Sequence, residues 1–324
     1  MMRAMRAESF TGYGGLKLLE VPRPHRANGR ALVRITAAGV TPLDHTILSG
    51  AYTRAKAPLI LGNEGAGVVE DPGDSVFSAG ARVMFAGPYG VAEDGSYSEW
   101  IAVRDEDLCI IPDTVADATA GGMPVAYLTA QITLTQAGFA PGKTVLAPAI
   151  GGAVGNAVTQ LARAQGAAKA ISTTTNPVKA EQARALGFDN VIDLSAEPLA
   201  DGVARLTGGR GVDIVIDSVG GALTGHALAT LAVGGVLTSL GYSAGRKTTI
   251  DVTDLIWKRA RMSGFSLFEQ SHAIKAAAWA AILPLLASGT VRPLLERAYK
   301  LDEAAEALRH LIEDRPFGRV VLRT

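Results

Sequence analysis

The stretch VLAPAIGGAVGNAVTQLARAQGA, residues 145–167, decides the fold of this chain. Its apolar start predicts a buried strand, its centre a glycine-rich turn, and its second half a helix. This is the context of the dinucleotide-binding fingerprint G-x-G-x-x-G, whose small residues let backbone N–H groups approach a pyrophosphate. Gly152 and Gly155 hold the second and third glycine positions, whereas Ile150 holds the first. The variant A-x-x-G-x-x-G predicts a pyrophosphate site made of Ala149, Gly152, Ala153, Val154 and Gly155.

Strands and helices alternate along the chain after this turn, and a helix over residues 123–138 precedes it. Parallel strands need a crossover connection between them, and that connection is usually a helix, so the alternation predicts a doubly wound parallel α/β sheet. The predicted strands, in chain order, are KTVLAPA, AKAISTTT, DNVIDL, DIVIDSVG and GGVLTSLG.

The rest of the sequence predicts a second, β-rich domain. ALVRITAAGV, residues 31–40, alternates apolar and polar residues, and FGRVVLRT, residues 317–324, is typical of a terminal strand. A strand near each end of the chain fits termini that return to one domain. We therefore predict a dinucleotide-binding domain over residues 123–257, inserted into a domain built from residues 1–122 and 258–324.

The end of the second predicted strand indicates which dinucleotide binds. NAD-binding domains place a carboxylate about 20 residues after the fingerprint, where it binds the ribose 2′-hydroxyl. Residues 172–179, STTTNPVK, contain hydroxyl groups and a lysine but no carboxylate, which favours NADPH over NADH. Ordinary strand-end threonines and a solvated lysine are the alternative interpretation. The predicted cofactor contacts here and at the next two strand ends are Thr173, Thr174, Thr175, Lys179, Ser218, Ser239, Leu240 and Gly241.

The composition limits the possible partners. The 31 basic and 31 acidic residues balance, so no net charge points to nucleic acid or to an anionic membrane. Gly, Pro or charged residues interrupt every apolar stretch before about 18 residues, so we expect a soluble, cytoplasmic protein. Cys109 is the only cysteine, which excludes a multi-cysteine zinc site.

Seven stretches spread over nearly the whole chain match the pattern of one protein superfamily. They are AAGVTPLDHTILSGAY, LILGNEGAGVV, GSYSEWIAV, LTAQITLTQAGFAPGKTVLAPAIGGAVG, ALGFDNVIDL, TGGRGVDIVIDSVGG and AAEALRHLIEDRPFGRVVL. In them the chain resembles the medium-chain dehydrogenase/reductase superfamily, specifically its zinc-free quinone oxidoreductase branch, which includes zeta-crystallin. The resemblance implies a GroES-like catalytic domain from both chain ends, a Rossmann domain between them, and commonly a homodimer. It also implies hydride transfer from NADPH to quinones, enones or related acceptors.

The positions of the zinc ligands in this superfamily argue against zinc here. Zinc-dependent members use a Cys after the first core strand and the His of a G-H-E motif. This chain has Thr41 and Asn63 at those places, and it lacks the structural lobe with four cysteines. Zinc alcohol dehydrogenase chemistry needs a Lewis acid with an open coordination position. The sequence therefore predicts no metal.

The candidate catalytic residues follow from the demands of hydride transfer. No Ser-His-Asp set, Cys nucleophile or carboxylate pair is evident, and the reaction mainly needs positioning and donors for a developing oxyanion. We predict that Thr41, Asn63 and Thr129 position the nicotinamide or polarise the acceptor. Asp44 either organises its loop or acts on substrate. Four aromatic residues are predicted to line an apolar slot, with core packing as the alternative: Tyr52, Tyr242, Phe265 and Phe268.

Two other functions fit the same residues. The first keeps the chemistry but changes the acceptor, so that the protein is an enoyl-thioester or alkenal reductase. The second is a cofactor-binding protein with little turnover, which serves a structural or regulatory role as crystallin relatives do. The predicted partners are thus NADPH, a small-molecule quinone or enone and a second copy of the chain.

Overall fold

The computed structural model describes residues 1–324, the whole of the printed sequence. Its strands are β1 (Met2–Ala7), β2 (Leu16–Val21), β3 (Arg30–Gly39), β4 (Leu59–Ile60), β5 (Glu64–Asp71), β6 (Arg82–Ala86), β7 (Trp100–Arg104), β8 (Leu108–Ile110), β9 (Thr144–Ala147), β10 (Lys169–Thr174), β11 (Val191–Asp193), β12 (Val212–Asp217), β13 (Leu231–Ser239), β14 (Arg261–Gly264), β15 (Leu295–Lys300) and β16 (Arg319–Arg323). Its helices are α1 (Pro42–Leu48), α2 (Asp117–Gly121), α3 (Pro124–Gln136), α4 (Ala153–Ala164), α5 (Pro177–Ala185), α6 (Leu199–Thr207), α7 (Ala222–Ala229), α8 (Val252–Lys258), α9 (His272–Ala287) and α10 (Ala304–Arg309).

The chain divides into two units by its internal contacts. The first unit contains Met1–Val125, Leu286–Gly289 and Pro293–Thr324, and the second contains Ala126–Leu285 and Thr290–Arg292. Both ends of the chain therefore belong to the first unit, and the second unit is inserted between them.

The first unit is built on a seven-stranded sheet of order β15-β16-β3-β5-β6-β8, in which β7 also pairs with β3. A separate three-stranded sheet has the order β2-β1-β4. The C-terminal strand β16 runs antiparallel to β3, with Val321 opposite Gly39. Because β3 leads directly into α1, this pairing brings the end of the chain beside the segment that carries Thr41 and Asp44.

The second unit contains a six-stranded sheet of order β11-β10-β9-β12-β13-β14, and every strand pair in it is parallel. Numbered along the unit, this order is 3-2-1-4-5-6, that of dinucleotide-binding domains. The apolar strands pack their side chains into a core that includes Leu146, Ile171, Val215 and Leu237. The doubly wound parallel sheet predicted from the alternation is confirmed, and its topological switch point lies between β9 and β12.

The second unit extends past the boundary predicted at residue 258 and continues to Leu285. A sixth strand, β14, pairs in parallel with β13, with Val236 opposite Arg261, and it keeps the following residues in this unit. Its sequence RMSG gives no strand signal, since an edge strand that lies exposed at all four positions needs no apolar alternation.

Two C-terminal helices have irregular features. The helix α9 continues through Pro284 to Ala287. The helix α10 continues directly into a π-helical turn, His310–Asp314. None of the helices has the length and hydropathy required to cross a membrane.

Candidate active site

The turn between β9 and α4 has the geometry of a pyrophosphate-binding loop. Ala149 has a left-handed backbone, with φ of 67°, and its N–H donates to Oγ1 of Thr173 at 3.2 Å. The N–H of Ile150 donates to the Thr173 carbonyl oxygen at 2.8 Å. The Ile150 side chain is fully buried, so the first fingerprint position points into the core and needs no glycine. The left-handed residue is Ala149, where a Cβ costs roughly 1–2 kcal/mol.

The two retained glycines have separate structural reasons. Gly152 is the exposed N-cap of α4 and offers no side-chain acceptor, so the first-turn N–H groups of the helix remain available to an anion. A Cβ on Gly155 would collide with the carbonyl oxygens of Pro148 and Ala149, so only glycine lets α4 pack this closely on the turn. The residues present therefore fit a dinucleotide pyrophosphate at this helix N-terminus.

The threonines after the turn differ in what their hydroxyl groups do. Thr173 is buried and supports the turn from beneath through its contact with Ala149, an arrangement that does not fit the predicted direct contact with a phosphate. Oγ1 of Thr174 accepts the N–H of Asn176 at 3.2 Å, and only Thr175 is exposed. Lys179 lies partly exposed in the first turn of α5, where its N–H donates to Oδ1 of Asn176 at 3.3 Å.

The ends of β12 and β13 pack against each other at the same edge of the sheet, because their strands are parallel. Asp217, fully buried, accepts the N–H groups of Val219 at 2.9 Å and Gly220 at 3.0 Å, and it fixes this turn. The N–H of Leu240 donates to the Asp217 carbonyl oxygen at 2.9 Å. The predicted contacts Ser218, Ser239, Leu240 and Gly241 are therefore brought together, and Gly241 has no room for a Cβ beside the Ser218 carbonyl.

In the first unit, Asp44 organises the loop that precedes α1. Its Oδ2 accepts the N–H of Thr41 at 2.8 Å, the Thr41 hydroxyl at 2.7 Å and the Tyr97 hydroxyl at 3.2 Å. Its Oδ1 accepts the N–H of Gly62 at 3.0 Å. Burial raises the pKa of the Asp44 carboxyl, and the bonds from Thr41, Gly62 and Tyr97 oppose that rise. Of the two roles considered for Asp44, the structure supports organisation of the loop.

Asn63 is held next to this network through its neighbour Gly62. Only 2% of Asn63 is exposed, and its Oδ1 is buried without a hydrogen-bond partner. A buried carbonyl group of this kind normally has a donor, since leaving it unpaired costs about 1–3 kcal/mol. Thr41 and Asn63 are therefore brought together by Asp44, and Asn63 carries an unsatisfied group.

A buried ion pair that the sequence did not reveal lies directly beside Asn63. Glu64 is completely buried, forms a salt bridge with Arg319 of β16, and accepts the N–H of Val125 through Oε2 at 2.7 Å. The Nε of Arg319 donates to the Gly122 carbonyl oxygen. Burial raises the pKa of Glu64, and the Arg319 charge opposes this effect. No sequence signal pairs two residues that are 255 positions apart.

The other predicted site residues lie outside the Asp44 network. Thr129 is a buried residue of α3 in the second unit, whereas Tyr52 is partly exposed in the first. Tyr242 is exposed, and Phe265 and Phe268 are partly exposed, so none of the four aromatic residues is a core side chain. No group of three or more His, Cys, Asp or Glu side chains has the arrangement of a metal site.

Comparisons with known families agree with this architecture. Residues 27–113 match the family described as the alcohol dehydrogenase GroES-like domain, and residues 153–287 match the family described as zinc-binding dehydrogenase. A quinone oxidoreductase of Pseudomonas aeruginosa is 33% identical over 324 residues, which cover 97% of this chain and 98% of that protein. Erythronolide synthase EryA2 of Saccharopolyspora erythraea is 35% identical over 311 residues, but these cover 94% of this chain and only 8% of the synthase.

Solved structures that match the whole chain indicate the same family. An NAD-dependent alcohol dehydrogenase superposes with a TM-score of 0.89 at 27% identity, and the match covers 100% of both chains. A mycobacterial protein complexed with NADPH superposes with a TM-score of 0.88 at 29% identity, again over 100% of both chains. The chain therefore belongs to the medium-chain dehydrogenase/reductase superfamily of oxidoreductases, in its quinone oxidoreductase-like branch.

Proposed function

We propose that this protein is a zinc-independent reductase that takes hydride from NADPH and transfers it to a quinone or another conjugated carbonyl compound. The observation that carries the proposal is the turn between β9 and α4. There, a helix N-terminus without a side-chain cap lies at the edge of a parallel sheet of order 3-2-1-4-5-6. Bound NADPH would supply the hydride, and the protein would orient the dinucleotide and the acceptor.

Residues of α5 support the choice of NADPH. Lys179 lies in the first turn of this helix, just after the strand end that meets the adenosine ribose in such folds. No carboxylate lies within residues 172–179. The similar structures leave the choice open, since one is named NAD-dependent and another contains NADPH.

The donor set at the superfamily's zinc position supports a reaction without zinc. Thr41 and Asn63 offer a hydroxyl and a carboxamide, whereas zinc prefers thiolate, imidazole and carboxylate ligands. Quinones and enones are suitable acceptors in that case, because the extended conjugation accepts hydride and the oxygen can take its proton from water.

Thr41 and Asn63 have different proposed roles because their hydrogen bonds differ. The Thr41 hydroxyl donates a hydrogen bond to Asp44, so toward a ligand its oxygen can only accept an N–H or O–H. The Asn63 carboxamide oxygen has no partner, so an N–H or O–H group of a ligand can pair with it and be positioned by it. Polarisation of an acceptor carbonyl is proposed for the Nδ2–H donors of the same carboxamide. Thr129 is proposed to position the nicotinamide, and Tyr52 to line the acceptor slot.

Double-bond reduction of an enoyl thioester is the second candidate. The 35% identity to a segment of erythronolide synthase EryA2 is the observation that favours it, because polyketide chains are carried as thioesters. The cofactor and the hydride chemistry are the same in both candidates, and only the acceptor differs.

One assay separates the candidates. Chelator-treated protein is mixed with NADPH and a panel of quinones, alkenals and enoyl thioesters, and NADPH oxidation is followed by absorbance. The proposal expects quinone turnover that chelation does not reduce. Faster turnover of enoyl thioesters would favour the second candidate. Binding of NADPH without turnover of any acceptor would contradict an enzymatic function and favour a cofactor-binding protein.

We also propose that two copies of the chain form a homodimer through the edge of β14. All four residues of this edge strand are exposed, and Trp257, just before it, is 76% exposed. An open strand edge beside exposed apolar side chains is self-complementary across a two-fold axis. Light scattering should show a dimer for the wild type and a monomer for Met262→Pro, which removes an edge N–H. A monomeric wild type would refute this assembly.

A further inference from the structure

A carboxylate lies where the adenosine end of the cofactor is expected, although the segment after β10 contains none. Asp193 ends the edge strand β11, and its Cα is paired with that of Thr174 at the end of β10. The N–H of Leu194 donates to the Thr174 carbonyl oxygen at 2.8 Å, so the two strand ends remain in register. Since the ribose of a bound dinucleotide lies at the end of the second strand, Asp193 is one strand away from it, about 5 Å laterally.

The Asp193 carboxylate is fixed in its ionised form. Its Oδ1 accepts both the N–H of Ser195 at 3.0 Å and the Ser195 hydroxyl at 2.6 Å. These hydrogen bonds, together with the charge of Arg184, hold the pKa of Asp193 below its ordinary value. Asp193 therefore carries a full negative charge at neutral pH, and it is partly exposed.

The charges around this strand end have opposite signs. Lys179 and Arg184 both belong to α5, and their charges would attract a phosphate. Asp193 lies at the end of the neighbouring strand β11, and its charge would repel the same phosphate. A ribose 2′-phosphate carries a charge near −2 at neutral pH, whereas the 2′-hydroxyl of NADH carries none. Only NADPH would experience this repulsion.

We propose that Asp193 determines cofactor specificity: its charge at the end of β11 weakens the binding of NADPH while leaving that of NADH unchanged. The proposal rests on the proposed function, since it needs a dinucleotide at this edge of the sheet. It implies that the preference for NADPH is smaller than the lysine on α5 would give alone.

Fluorescence titrations with NADPH and with NADH test this on the wild type, Asp193→Asn and Asp189→Asn. Asparagine keeps the Oδ1 acceptor for Ser195 and removes only the charge. Asp189 is the matched control, because it is an exposed carboxylate before the other end of β11, about 13 Å along the chain from Asp193. The expected result for Asp193→Asn is a Kd for NADPH about fivefold lower, an unchanged Kd for NADH, and a difference that shrinks at high salt.

Each of the other outcomes would contradict either the role of Asp193 or the proposed function. Equal effects on both nucleotides, or none on either, would overturn the role of Asp193 while leaving the proposed function intact. Weaker NADH binding in Asp193→Asn would mean that the carboxylate binds the ribose hydroxyl, which also overturns the repulsion. If Asp189→Asn lowers the Kd for NADPH by the same factor, the effect comes from the net charge of the protein and not from the position of Asp193. A wild type that binds neither nucleotide would refute the proposed function itself.

Discussion

The Thr41 hydroxyl lies 2.7 Å from Oδ2 of Asp44 and donates its only proton to that carboxylate. Because the same carboxylate also accepts the N–H of Gly62, one buried side chain sets the positions of both loops that carry candidate catalytic residues. The hydroxyl oxygen of Thr41 can thus only accept from a ligand, and we propose that the polarising donors are the Nδ2–H groups of Asn63.

Asp44→Asn should lower the free energy of unfolding by about 2 kcal/mol, because an amide nitrogen would then face a backbone or hydroxyl donor. Urea denaturation measures the loss, and Asp74→Asn, at an exposed loop position, is the control. An equally stable Asp44→Asn variant would contradict the role assigned to the carboxylate.

Asn63→Leu should separate stability from activity. Leucine has nearly the same shape, and it removes a carbonyl oxygen that has no partner, so the free energy of unfolding should fall by less than about 1 kcal/mol. If Asn63 polarises the acceptor, kcat for quinone reduction should fall about 100-fold, with little change in the KM for NADPH. Steady-state kinetics on the folded variant give both values, and an unchanged kcat would remove Asn63 from the chemistry.

Arg319→Met should lower the free energy of unfolding by about 3–5 kcal/mol, because it leaves the carboxylate of Glu64 buried without its counter-charge. The double variant Glu64→Gln with Arg319→Met should recover part of this loss, since no buried charge remains. Denaturation of the two single variants and the double variant forms a thermodynamic cycle. Additive losses would mean that the two side chains do not interact.

His310 should make stability depend on pH. Burial lowers its pKa, but hydrogen bonds to Asp314 at 2.8 Å and Glu296 at 3.0 Å outweigh this and raise the pKa above its ordinary value. The Tyr299 ring is a further neighbour, with its centroid 6.0 Å from that of the His310 ring. A group with a raised folded-state pKa stabilises the protein fully below its unfolded pKa of about 6.5 and loses that contribution as pH rises through the folded value.

Unfolding measured from pH 6 to pH 9 should therefore show a decline in stability that His310→Gln reduces. The variant should be less stable than the wild type at the acidic end and approach it at the alkaline end. A parallel pH dependence in both proteins would show that this cluster does not contribute.

Lys179→Ala should raise the Kd for NADPH more than the Kd for NADH, because only NADPH carries the 2′-phosphate. Loss of one charge-assisted contact corresponds to about tenfold weaker NADPH binding. Equal changes for the two nucleotides would remove Lys179 from the phosphate site. Fluorescence titration provides the measurement.

The sequence was sufficient to predict the second unit's central architecture because its signals are local. The strand, the glycine turn and the helix of residues 145–167 lie within one continuous stretch, and the alternation that follows fixes a parallel sheet. The position of Gly155 in the turn was also predicted from its spacing, whereas the structure adds that a Cβ there would collide with the carbonyl oxygens of Pro148 and Ala149.

What the sequence could not provide depends on contacts between distant segments. Glu64 meets Arg319 across 255 positions, and Asp193 is brought beside Thr174 by the pairing of β10 with β11 rather than by the segment after β10. Thr173 shows a different limit. A threonine at a strand end has the same sequence pattern whether its hydroxyl faces a ligand or, as here, holds the backbone of Ala149. The missed β14 is an exposed edge strand, and such strands carry no core-facing periodicity.

The pairing of β16 with β3 has a consequence for synthesis of the chain. All strands of the second unit lie between residues 144 and 264, so this unit can fold while translation continues. The sheet of the first unit is completed later: β3 can pair early with β5 and β7, but its end at Ala37–Gly39 lacks β16 until residues near 320 leave the ribosome. During that interval the nascent chain exposes this short unpaired apolar edge, which is the kind of surface that chaperones bind and that aggregates when synthesis stalls.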